Sequence, residues 1–113
     1  MKAITVLLSI FFLMIFSSCN KCNNENPTAR VVNNGTSSAN LEITASDGEL
    51  VSITDLGAGL ISSSESYSPG TTTVNCIIDG IQLTEKVEMS ECKSYDITIN
   101  SENVIVVFST KID

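Results

Sequence analysis

Short alternating segments cut by turn dipeptides constrain this chain more than any other feature of it. Asn33-Asn34-Gly35, Asp47-Gly48, Pro69-Gly70 and Asp79-Gly80 are strong turn signals. Between them, apolar residues recur at every second position. Leu41, Ile43 and Ala45 alternate with Glu42 and Thr44, and Val51 and Ile53 flank Ser52. Period-two alternation describes a strand with one buried face. Further strands are predicted near Val31–Val32 and at about 71–78, 81–89, 94–100 and 103–109, with a weak serine-rich edge strand in 60–67. Past residue 19 no apolar run of helical period is long enough to form a useful helix. The pattern predicts an all-β domain: a small antiparallel β-sandwich of about seven or eight short strands.

Register sharpens two of the turns. A two-residue turn at Asp79-Gly80 sets Ile78 opposite Ile81 and Cys76 opposite Leu83, which keeps the apolar positions on one face. At Asp47-Gly48 a two-residue turn would mix the faces. A three-residue loop from Asp47 to Glu49, with Ala45 opposite Val51 and Ile43 opposite Ile53, is predicted instead. The β-branched run from Val104 to Phe108 reads as a strand buried on both faces near a sheet centre, with Val106 in the core. Tyr95, Ile97 and Ile99 mark its hairpin partner, joined through a turn at Ser101 to Asn103.

The first nineteen residues follow a different logic. Lys2 is followed by an uncharged apolar run from Ala3 to Phe16, then Ser17, Ser18 and Cys19. That is the layout of a cleaved signal peptide over residues 1–18. The run is shorter than the ~20 residues a spanning helix needs. Phe16-Ser17-Ser18-Cys19 resembles the lipobox of bacterial lipoproteins, with Phe16 where that family prefers Leu. The resemblance implies a diacylglycerol thioether on Cys19 and membrane anchoring through it. Two or more acyl chains, at ~0.8 kcal/mol per buried CH₂, hold a protein stably in a bilayer. The alternative is a secreted protein whose Cys19 forms a disulfide. In the lipoprotein sorting that this resemblance brings with it, Asn20 in place of Asp leans towards the outer membrane.

Residues 19–26 then read as the lipidated cysteine and a flexible polar tether, and residues 27–113 as the sandwich domain. Arg30 to Asn33 and Tyr67 to Thr71 resemble openings and turns of immunoglobulin-like domains in bacterial lipoproteins of unknown function.

Composition removes several functions. The chain has no histidine and no tryptophan. It therefore lacks the commonest general base and transition-metal ligand. With Lys2 removed, five basic and thirteen acidic residues leave a charge of −8. No basic stripe offers itself to a phosphate backbone, so nucleic acid is excluded as a partner. No catalytic constellation, metal set or cofactor motif is assigned. Asp47, Glu49 and Asp55 could offer oxygens to Ca²⁺, but solvated turn residues are the simpler reading, as they are for Glu85, Glu88 and Glu91. Glu85 falls on the Leu83–Val87 face, which predicts a sheet end or a partner there.

Three cysteines remain after Cys19. In an exported protein a disulfide is their natural use. Cys76–Cys92 is the first choice of pairing, with a buried free Cys76 as the alternative. The function expected is a non-catalytic binding or scaffold module of the cell envelope, held by its lipid and meeting another envelope protein. The alternative is an acidic inhibitor of a cationic enzyme such as a lysozyme.

Overall fold

The computed structural model describes residues 22–112. Cys19 and the signal segment lie outside the described residues. Eight strands follow one another: β1 (Thr28–Asn33), β2 (Ala39–Thr44), β3 (Leu50–Leu56), β4 (Glu65–Ser66), β5 (Gly70–Ile78), β6 (Ile81–Met89), β7 (Lys93–Ile99) and β8 (Ile105–Lys111). They form two four-stranded sheets, ordered β4-β1-β7-β8 and β3-β2-β5-β6. Each strand presents alternate residues inward, and the two inward faces close on one core. Val31, Ile97 and Ile99 of the first sheet meet Leu41, Ile43, Val74, Cys76 and Ile78 of the second, all fully buried. The domain is a β-sandwich. Its pairs are antiparallel except β1 with β7, which run parallel with Val31 beside Ile97.

The β5–β6 hairpin has the predicted register, with Ile78 opposite Ile81 and Cys76 opposite Leu83. Asp79 and Gly80 both take positive φ, 52° and 73°, as a two-residue primed turn requires. The β2–β3 loop has the predicted length but sits one residue earlier. The Ala45 N–H donates to Glu49 O and its carbonyl accepts from the Gly48 N–H, Ile43 faces Val51, and Leu41 faces Ile53. Gly48 at φ 91° supplies the left-handed residue that closes a three-residue loop. The slip moves by two in register, so the apolar faces still match.

The serine-rich segment contributes only the two residues of β4 and a single bridge from Ile61 to Val32.

Three expectations are corrected. The run from Val104 to Phe108 is no central strand: β8 lies at the sheet edge and pairs only with β7. Ile105 is buried and Val107 packs on the core, whereas Val106 is half-buried on the outer face and Phe108 is 59% exposed. The parallel β1 occupies the other side of β7, a pairing that no local pattern announces. The disulfide joins Cys22 to Cys92 rather than Cys76 to Cys92, and Cys76 is free and buried. Cys76 sits mid-hairpin, six residues along β5 from Gly70, the partner of Met89. That puts it roughly 20 Å along the sheet from the β6–β7 turn, too far to bond Cys92. Finally, residues 22–26 are fastened to the fold. Cys22 is covalently held, and the Cys92 N–H donates to Glu25 O at 2.9 Å.

Candidate functional site

The sandwich has two unlike ends. One carries Cys22–Cys92, the β2–β3 loop and the segment Tyr67 to Pro69. The other carries the β1–β2 loop, the residues after β3, the Asp79-Gly80 turn and the β7–β8 turn. This second end, called the Asp79 end, is the most constructed surface of the molecule.

Its foundation is Asn33, the last residue of β1 and fully buried. Its side-chain Nδ2 donates to Ser37 O at 2.9 Å and to Leu56 O at 2.7 Å. Its Oδ1 accepts from the Gly35 N–H at 2.9 Å. Its backbone N–H donates to Leu60 O and its carbonyl accepts from Gly59. One side chain thus ties the β1–β2 loop to the exit of β3, with all its polar atoms satisfied, as a buried amide requires. The close approach leaves no room at Gly35. A methyl group there would lie 2.6 Å from Asn103 Oδ1 and 2.8 Å from Ile78 Cδ1.

A second network lies above it in solvent. The Asp79 carboxylate accepts from the hydroxyls of Thr36 and Ser37, the latter at 2.6 Å, and from Asn103 Nδ2 at 3.3 Å. Asn103 also donates to Thr36 Oγ1 at 2.9 Å and accepts from the Thr36 N–H at 3.1 Å. Asn103 adopts φ 58° to make these contacts, a conformation asparagine tolerates. The hydrogen bonds from Ser37, then Thr36, hold Asp79 below the usual carboxylate range. Three loops distant in sequence are pinned by one carboxylate. Its lone pairs are engaged, so it serves as a staple and not as a free acid, base or ligand.

Around this polar centre stand exposed apolar side chains. Leu60 is 58% exposed, Ile81 53% and Val104 49%. Each lies close in the chain to a member of these networks: Leu60 follows Gly59, Ile81 stands two residues after Asp79, and Val104 follows Asn103. Ile77, one residue before the end of β5, is exposed as well. At the Cys22 end Leu50 alone is comparable among the described residues. Fixed polar groups amid exposed apolar side chains suit recognition of another protein surface.

The other sequence candidates separate. Asp47 accepts from the Glu49 N–H at 3.0 Å and from the Ser68 hydroxyl at 2.8 Å, which lowers its pKa. Asp55 lies at the far end of β3 beside the bulge, where its N–H donates to Asn40. Among the described residues no three His, Cys, Asp or Glu are grouped to hold a metal ion. Glu85 faces inward opposite Val74 and yet is exposed, because β6 is a sheet edge. There the sheets part into a groove of about 460 Å³ that Glu85, Val87, Ile105 and Val107 help to line. An inward-pointing charge on an edge strand resists edge-to-edge pairing. Burial pushes the Cys76 thiol up, which makes it inert. Glu88 accepts from the Thr71 hydroxyl, and Glu91 is exposed in the β6–β7 turn.

The Asp79-end network was not legible as a site. Its members read only as turn residues, and nothing local says that three turns converge.

The fold has a counterpart among solved structures. The NMR structure of a protein from Eubacterium rectale superposes with a TM-score of 0.53 over 81% of this chain and 95% of that one, at 19% identity. At that identity the likeness shows the fold alone. No family model matches the chain, and no curated protein matches it.

Proposed function

We propose that this chain is a lipid-anchored, non-catalytic module of the bacterial cell envelope that presents its Asp79 end to another envelope protein. The anchor is the diacylglyceryl group expected on Cys19, and Asn20 favours the outer membrane. The Cys22–Cys92 bond supports the exported location, since disulfides persist in oxidising compartments. The observation that carries the binding role is the gathering of Leu60, Ile81 and Val104 around loops pinned by Asn33 and Asp79. Preorganised loops lose little entropy on binding, so their contacts convert into affinity.

A photo-crosslinking residue placed at Leu60 or Val104 in living cells tests the role. A discrete adduct from these positions, absent from Ser52 and Thr84 on the outer face of the other sheet, is expected. Equal labelling from all four positions, or adducts from the sheet face alone, would overturn it.

A further inference from the structure

Cys22 stands three residues after Cys19, and Cys22 is locked to Cys92 at the start of β7. Three residues reach about 10 Å at full extension. A lipid on Cys19 therefore hangs from one end of the sandwich on a very short leash. β5, with nine residues, spans roughly 30 Å, so the two ends differ greatly in the distance they can keep from a bilayer.

The basic residues are distributed unevenly along the same axis. The mature chain has five basic residues: Lys21, Arg30, Lys86, Lys93 and Lys111. Arg30 is engaged by Asp96 on the sheet face at 2.9 Å. Lys21 precedes Cys22, and Lys93 follows Cys92. Lys111 is the direct cross-strand partner of Lys93. The Asp79 end has Asp55, Asp79 and Glu102 and no Lys or Arg. The Cys22 end also carries acids, Glu25, Asp47, Glu49, Glu88 and Glu91, so its positive charge is a local corner made by the lysines and not a property of the whole end. Like charges placed opposite each other weaken a strand pair, and Lys93 with Lys111 is such a pairing. An anionic surface would relieve it.

We infer that the sandwich stands end-on with its Cys22 end against the bilayer, Lys93 and Lys111 resting on anionic phospholipid headgroups, and the Asp79 end, which has no lysine or arginine among the described residues, turned outward. The inference rests on the lipid-anchored reading. A leash of three residues fixes which end is near, and the lysine corner at the foot of that leash is the part of this end that the field of an anionic leaflet attracts. The lysine pair acts as point charges close to the surface, within a Debye length of it.

The full mature lipidated chain in phosphatidylglycerol–phosphatidylethanolamine vesicles tests this. The vesicles carry a nitroxide quencher on the headgroup, and a fluorescent residue replaces Ser90, in the β6–β7 turn, or Ser101, in the β7–β8 turn. Loss of fluorescence at Ser90 and retention at Ser101 are expected. Lys93→Gln with Lys111→Gln should reduce the quenching at Ser90. A chain that floats with the vesicles but is quenched equally at both positions keeps its anchor and overturns the orientation. Unchanged quenching at Ser90 in the double variant overturns the role of the lysines. A chain that does not float, or a Cys19→Ala chain that floats equally well, overturns the anchored reading itself.

Discussion

Asn33→Ala should be among the most damaging single substitutions in this chain. The side chain makes three hydrogen bonds, to Ser37 O, Leu56 O and the Gly35 N–H. The bond to Leu56 O is buried, and a buried group left unpaired costs about 1–3 kcal/mol. The other two are partly buried, and water can replace part of what they lose, at about 0.5–1 kcal/mol each. The sum is about 3 kcal/mol, before any cavity is counted. A domain of this size should hold only the lower part of the usual ~5–15 kcal/mol. Urea unfolding of the lipid-free chain from residue 20, followed by far-UV circular dichroism, reads the effect. At a slope near 1 kcal/mol per molar urea, the midpoint should fall by roughly 3 M. Asn33→Asp keeps the size and the acceptor for Gly35 but points a carboxylate at two carbonyl oxygens. That carboxyl should titrate above its unfolded value, because its ionised form is repelled. Its destabilisation should be fullest above the raised pKa and should ease as the pH falls through it. If Asn33→Ala lies within about 0.5 kcal/mol of the parent at an unchanged slope, the side chain does not hold the loops and the account of this end is wrong.

Reducing Cys22–Cys92 releases a constraint across a sequence separation of 70. Chain-entropy reasoning gives about 4 kcal/mol for a loop of this length, so denaturant melts with and without reductant should differ by a large part of the total stability. Ile105→Asp buries a carboxylate in the core and should unfold the domain, whereas Val106→Asp lies on the outer face of an edge strand and should cost under about 1 kcal/mol. Reversed sensitivity in the same melts would put Val106 in the core. Thr72 is fully buried and its hydroxyl has no partner among the described residues. Thr72→Val keeps the shape and removes the orphan group, so it should raise stability by about 1 kcal/mol; a loss would show that the hydroxyl is satisfied.

What the sequence made legible was local. Alternation marked β2, β3 and β7, a β-branched run marked β8, and turn chemistry set the register of the β5–β6 hairpin, because all of these arise from residues close in the chain. The β2–β3 loop slipped by one residue because Gly48 takes the last loop position, a choice that the apolar pattern leaves open. Distant relations were hidden. The parallel pairing of β1 with β7 decides that β8 is an edge, and with it that Val106 and Phe108 face outward despite a run that reads as doubly buried. Cys22 sat in a polar stretch without periodicity, and only the arrival of Cys92 at the same end of the fold makes it structural. The Asp79 network depends on three turns meeting, which requires the whole topology.

The direction in which each end of the sandwich faces depends on the chemistry of Cys19. Intact mass and fragmentation of the protein purified from its own cells measure that chemistry directly. The account predicts a chain that begins at Cys19, carries diacylglycerol on the Sγ and retains the Cys22–Cys92 bond. A chain that begins elsewhere, or one with Cys19 unmodified or joined to another cysteine, would contradict it.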